Sequence, residues 1–459
     1  MERETYLQEI VAYFSHCKIE AFDDETVHQL RRCLLDHLGC AGFAAGYQCC
    51  TALADQIRKM GSLREGPYAS IWGMEGQVAP WAAAFANAVR TSNIELDDCS
   101  GIGASVHPGV YVLSAALAVA ESDPSLPSER FIRAVVFGYD ICMRMGLLAT
   151  EDLRPLGMHG PGFVCGLGVA GTVAMLYGLG EEEIYNAICI AASLLPVCPF
   201  TSFMEGADAK DLYGGWGVLL GMFAAKAASS HLTGPHHILE GEKSLKAFFG
   251  GDKGMDVAPG SHFYIKDTSF KQFSACHSVH PAVTAVKRLY AKEQFRPEEI
   301  RHVTVTTYPY SYTLNEGVTY PLTPSSARLC LPYTVAVALI EGDLSPKAFW
   351  PEKLQDPKTN QLLEKVTVQK NDGYGDGPFG VRGCKVELEL EDGRRLSQEV
   401  TSCAWDQAPD DQELARKFHT LIDGLLPLQT CQELEQLALH FDINSSLLEI
   451  IERMRQIGR

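Results

Sequence analysis

Residues 157–179 read GMHGPGFVCGLGVAGTVAMLYGL, and the reading of this stretch decides the fold. From Gly162 to Leu179 it carries no charge, just enough length for a helix to span a bilayer. Gly166, Gly168 and Gly171 also spell G-x-G-x-x-G. The dinucleotide-binding form of that motif needs a strand before it and a helix opening on the glycines. Here a Gly/Pro loop precedes the run, and the glycines lie inside it. Residues 212–228 form a similar run but include Lys226, and no Lys/Arg asymmetry marks an inside face for either. Both read as buried helices of a large helical domain, with glycines where helices pack closely.

Working outward, LRRCLLDHLGCAGFAAG at 30–46 places Leu30, Leu34, Leu38 and Ala41 at three- and four-residue spacings. Residues 80–92 form an Ala-rich helical run, and helices follow at about 110–121, 128–149, 162–178, 181–194 and 212–233. Almost no period-two alternation occurs in the first 235 residues. After about residue 260 the texture changes. RHVTVTTY at 301–308 alternates and is β-branched, as a strand should be. Runs at 381–390 and 394–401 flank Glu391-Asp392-Gly393, a hairpin signal. Helices are predicted at about 280–293 and 326–341, and the last fifty residues return to helix. The fold class is mainly α with an α+β part. A large all-helical domain (residues 1–260 and 410–459) carries a smaller α+β lid domain (residues 261–409).

Across 459 residues, 57 Asp and Glu outweigh 39 Lys and Arg, for a formal charge of −18. That balance argues against nucleic acid and against adhesion to anionic membranes. A hydrophobic fraction of 46% is that of a folded chain. The start, MERETYLQEI, has no apolar signal core, and none of the 15 cysteines forms a C-x-x-C pair. Reduced thiols in a cytoplasmic protein are the expectation. One window departs from the acidic field: residues 262–288 hold Lys266, Lys271, Lys287 and Arg288 against Asp267 alone.

Chemistry-bearing residues gather in four places. The loop NIELDDCSGIGASVHPG at 93–109 crowds Glu95, Asp97 and Asp98 ahead of His107. Carboxylates beside a histidine can orient it and tune it for proton transfer; a solvated acidic loop is the plainer alternative. His159 stands at a glycine-lined helix start, where an anion would also be favoured. Lys210 precedes another helix, where its charge opposes the helix dipole, so carboxylate binding or a surface position could explain it. His277 and His280 lie three apart in the basic window, without a third metal ligand nearby.

Assembled in order, these segments resemble the MmgE/PrpD family over almost the full length. The resemblance rests on LLDHLGCAGFAAG, AFANAVRTSNIELDD followed by HPG, the opening stretch, GADAKDLYGGWG followed by HLTGPHHILEG, FKQFSACHSVHPA and SSARLCLPYTVAVALIEGDL. It implies a helical domain plus a lid, usually as a homodimer, with an active site between the domains and no metal or organic cofactor. It also implies proton transfer next to a carboxylate of a small di- or tricarboxylate: a 2-methylcitrate dehydratase-like lyase, or a decarboxylase or epimerase of substrates such as cis-aconitate or iminodisuccinate. The family's histidines fall on His107 and His159, its lysines on Lys210 and Lys271, and its acids on Glu95, Asp97 and Asp98. Substrate-contact positions fall on Lys210, Lys271, Ser92, Cys99, His277 and His280. Ser92 stands where the family has histidine, Cys99 where it has threonine, and Cys276 where a decarboxylating member has histidine. The loop to His107 is about two residues longer than in that member. These departures keep open a carboxylate-binding protein without turnover.

Overall fold

The computed structural model describes residues 5–102, 104–153, 156–249, 254–315, 320–375, 382–401 and 409–458. The helical part opens with α1 (Tyr6–His16), α2 (Asp24–Gly46), α3 (Thr51–Met60) and α4 (Pro80–Asn93). It continues with α5 (Pro108–Ser122), α6 (Ser128–Leu153), α7 (Gly160–Leu176), α8 (Glu181–Ser193), α9 (Thr201–Met204), α10 (Leu212–Ala228) and α11 (Leu245–Phe249). Leu30, Leu34 and Leu38 of α2 are fully buried, as their spacing predicts.

The opening stretch is helix α7, buried along its length and packed between α6 and α10. Its glycines serve close approach. A Cβ on Gly168 would lie 2.5 Å from the Gly138 carbonyl, and one on Gly171 would lie 2.7 Å from the Phe137 ring. Among the described residues no helix is long and apolar enough to cross a membrane.

The second part contains α12 (His280–Lys292), α13 (Pro309–Asn315), α14 (Pro324–Ala327), α15 (Leu331–Glu341), α16 (Pro351–Leu354) and α17 (Pro357–Leu363). Its sheet runs β4-β3-β5-β6, using β3 (Ile300–Thr307), β4 (Val366–Lys370), β5 (Cys384–Leu390) and β6 (Arg395–Val400). β3 is parallel to β4 and antiparallel to β5. The β5–β6 hairpin turns at the predicted Asp392-Gly393, with Gly393 at φ 86°. Val303, Val305, Val386 and Leu388 turn into a core closed by α12 and α15. The predicted first residue of that hairpin, Val381, lies outside the described residues. The C-terminal helices α18 (Asp411–Ile422), α19 (Leu428–Leu439) and α20 (Leu447–Met454) pack into the first core.

Three details differ from the sequence reading. The run at 326–341 breaks between Ala327 and Leu331, ahead of Pro332, because proline sets a new helix start there. The helix starting at 212 ends at Ala228 rather than near 233. A strand also appears inside the acidic loop: β1 (Asp98–Ser100) pairs antiparallel with β2 (Thr268–Phe270), with Cys99 opposite Ser269. This ribbon brings the acidic loop against the start of the basic window, and it positions the site.

Candidate active site

The loop leaving α4 has little regular structure, yet its carbonyls are tied down. Ser274 Oγ donates to the Ile94 carbonyl. Lys417 Nζ, 2.7 Å away, and Cys40 Sγ donate to that of Leu96. His107 Nδ1 lies 2.9 Å from that of Asp98. Glu95 is held in the left-handed region at φ 52°, a conformation costing a non-glycine residue about 1 kcal/mol. Such strain persists only where surrounding contacts enforce it, and here those contacts are two lysines.

Lys210 comes from the tight turn just before α10, and Lys271 follows β2 directly. One oxygen of Glu95 pairs with Lys210, and the other lies 2.8 Å from Lys271 Nζ. Lys271 also lies 3.4 Å from Asp97 Oδ1, whose second oxygen is 3.0 Å from His107 Nδ1. The result is an alternating chain of charges, Lys210–Glu95–Lys271–Asp97–His107. Both lysines are buried. Burial would raise the Asp97 carboxyl, but Lys271 and His107 overcome it and hold its pKa well below the usual range. Burial, then Lys271 and Arg328, pull Lys210 down to about 8 against the support of Asp211.

Asp97 and Asp98 face opposite ways, because side chains alternate along extended backbone. Asp98 turns inward: Tyr139 Oη donates to it at 2.6 Å and the Gly109 amide at 2.8 Å. Its burial raises its pKa to about 7, with Asp36 and Asp97 adding to the rise against the Tyr139 hydrogen bond. Gly109 is obligatory there, since a Cβ would lie 2.8 Å from both Asp98 oxygens. Cys99 returns to the Asp97 face, its Sγ 3.0 Å from His277 Nε2.

The two histidines preceding proline-glycine pairs differ. His107 is the N-cap of α5 and makes no side-chain cap bond. Its Nδ1 faces a carboxylate and a carbonyl, both acceptors, so Nδ1 carries the proton. His159 is the N-cap of α7, and its Nδ1 accepts from the Gly162 amide at 3.3 Å. Its surroundings, then His107 and Lys271, pull its pKa down to about 3. It is therefore neutral, with its proton on Nε2. Its ring lies between Phe200 and Tyr213.

The His277 and His280 rings are tilted by 35° with centroids 4.5 Å apart, but His280 Nε2 addresses the Ala275 carbonyl while His277 Nε2 addresses Cys99. Among the described residues no group of three His, Cys, Asp or Glu side chains is arranged to hold a metal ion. Ser92 packs against Gly214 of α10.

The sequence reading passed over two participants. Asp211 accepts from Asn93 Nδ2 at 2.6 Å and Ser325 Oγ at 3.3 Å, and lies 3.8 Å from Lys210. Arg328, inside the quoted SSARLCLP segment, is buried in the same neighbourhood. Asp211 adjoins Lys210 in sequence, which was its available signal; Arg328 had none beyond its segment.

The fold and this acid–lysine–histidine chain are those the family resemblance implies. The chain belongs to the MmgE/PrpD family: residues 8–258 match the MmgE/PrpD N-terminal domain and residues 273–443 the C-terminal domain. Among curated relatives it is similar to cis-aconitate decarboxylase of Mus musculus, 24% identical over 438 residues that span 91% of this chain and 86% of the relative. It is also similar to 2-methylcitrate dehydratase of Escherichia coli strain K12, 25% identical over 472 residues spanning 95% and 94%. The Salmonella typhi 2-methylcitrate dehydratase is 25% identical over 392 residues, spanning 80% and 79%. The family-level function is therefore that of a lyase.

Proposed function

We propose that this chain is a cofactor-independent lyase that acts on a small di- or tricarboxylate by proton transfer next to a carboxylate, as a 2-methylcitrate dehydratase does. The observation that carries this reading is the alternating chain from Lys210 to His107, with neutral His159 close enough to feel the charges of His107 and Lys271. Removing a proton beside a carboxylate builds enolate charge, which nearby cations stabilise. Substrate carboxylates take the place of Glu95 on Lys210 and Lys271. His107, its Nδ1 proton held by Asp97, uses Nε2 to take the carbon-bound proton. The C–H electron pair becomes the double bond, and the C–O pair leaves with the oxygen. His159 Nε2–H hydrogen-bonds that oxygen, which departs as water with the proton returned from His107.

The test is a turnover screen in deuterated water over 2-methylcitrate, citrate, cis-aconitate and iminodisuccinate. Loss of water from a hydroxylated substrate, abolished in a Lys210→Met, His107→Gln double variant, is expected. Carbon dioxide release would make the enzyme a decarboxylase. Deuterium in recovered substrate without loss of mass would make it an epimerase. No exchange with any of the four, or exchange that survives the double variant, overturns the mechanism.

The setting we assign is a cytoplasmic homodimer. Every described cysteine is a free thiol, which suits a reducing compartment. Leu212, Trp216 and Phe223 form an exposed apolar stripe along one face of α10, the pattern of a helix that packs on a second copy. Trp216→Glu is expected to shift the chain to monomer by light scattering while preserving its circular dichroism.

A further inference from the structure

Three arginines among the described residues are fully buried, and two are satisfied. Arg90 donates to the carbonyls of Cys49, Trp72, Ala44 and Ala45. Arg144 pairs with Asp140, Nε to Oδ2 at 2.5 Å. The third, Arg328, is 4% exposed, and its Nε and Nη1 donate to no atom among the described residues. Its packing partner is the Phe349 ring, 5.0 Å from the guanidinium carbon.

This cation is not remote from the site. Arg328 sits in the break between α14 and α15, and its carbonyl accepts from the Cys276 amide at 3.0 Å. That bond ties it to the segment carrying Lys271 and His277. Its charge is felt by Lys210, and its strongest acidic neighbour through space is Asp211. Asp211 does not neutralise it by contact, being engaged by Asn93, Ser325 and Lys210. A desolvated guanidinium with idle donors is costly until an anion arrives, and its planar fork matches a carboxylate.

Building on the polycarboxylate reading above, we infer that Arg328 is a third anchor, receiving the substrate carboxylate that Lys210 and Lys271 do not hold. The site then presents three cations to three carboxylates, and Arg328 sets a preference for tricarboxylates over dicarboxylates. Glu95 already bridges the two lysines, so an arriving ligand meets Arg328 as the cation with no carboxylate of the described residues in contact.

The experiment is calorimetric titration of the full chain with tricarballylate and with glutarate, which lacks the central carboxylate. Wild type is expected to bind tricarballylate more tightly. Arg328→Gln should lose about tenfold to a hundredfold of that affinity, the effect of hydrogen bonds to a charged group, and leave glutarate within about twofold. Arg328→Lys keeps the charge without the fork and should fall between; it also serves should the glutamine variant not fold. If wild type binds both probes alike, or if the variants lower both equally or neither, Arg328 is no carboxylate anchor, while the lyase reading stands on its turnover screen. If wild type binds neither probe, the polycarboxylate reading falls and this inference with it.

Discussion

Two helix starts in this protein look alike in sequence and differ in chemistry. His107-Pro108-Gly109 opens α5, and His159-Gly160-Pro161-Gly162 opens α7. In the first, the imidazole leaves its helix uncapped and turns Nδ1 to Asp97 and the Asp98 carbonyl. In the second, Nδ1 accepts from the helix's own Gly162 amide. One ring is therefore oriented by a carboxylate, whereas the other is tied to a backbone dipole and is neutral. In the proposed mechanism the contact each Nδ1 makes assigns the role: His107 moves the proton, and His159 donates a hydrogen bond.

The largest expected effect tests that assignment. His107→Gln should lower kcat by about 10²–10⁴, the range for loss of a positioned general base, with KM little changed. His159→Gln should cost less, because a hydrogen-bond donor is lost and not the proton carrier. Equal losses from the two variants would erase the distinction. Next in size is Asp97→Asn, which keeps an acceptor for His107 Nδ1 but removes the counter-ion. A drop in kcat of about tenfold to a hundredfold is expected, with the helical spectrum retained.

Which parts of this pairing are visible in sequence follows from what each contact depends on. The helices were legible because Leu30, Leu34 and Leu38 repeat on one face, and the glycines of α7 were legible once no strand preceded them. Glu95, Asp97, His107, Lys210 and Lys271 were found as residues, from crowding and from resemblance. Their wiring was not, because Asp98–Phe270 is a pairing across 172 positions that no local pattern encodes. The opposite orientations of Asp97 and Asp98 depend on the short strand β1, which hides in a loop rich in Gly and Ser. The idle donors of Arg328 are invisible for a similar reason: a missing partner is a property of the packed neighbourhood.

A smaller effect lies in pH. A lysine held at about 8 loses its charge in a range where an ordinary lysine keeps it. Below that pH Lys210 is cationic and, in the proposed mechanism, grips a substrate carboxylate. Above it the grip weakens, so KM for the turned-over substrate should climb toward tenfold per pH unit. The same cation steadies the developing enolate charge in the proposed mechanism, so kcat should fall over the same limb. Lys210→Arg should move the rise in KM beyond the measurable range, since guanidinium remains charged. A KM independent of pH up to 10 would show that Lys210 does not hold the substrate as a cation.

The smallest effect separates structure from chemistry within the pair. As an N-cap acceptor, His159 satisfies one of the orphan amides at the start of α7, a role that asparagine performs well and alanine cannot. His159→Asn should therefore melt close to wild type, while His159→Ala loses about 1 kcal/mol of stability. Both variants lack the Nε2–H donor and should lose activity alike. His107 makes no such bond, so His107→Asn should gain, and His107→Ala lose, little cap stability. What His107→Ala does is leave Asp97 with Lys271 as its remaining counter-ion. Calorimetric melting of the four variants beside their kcat values reads the comparison. If alanine and asparagine at position 159 melt alike, the Gly162 bond contributes nothing measurable, and the tautomer assigned to His159 loses its structural support.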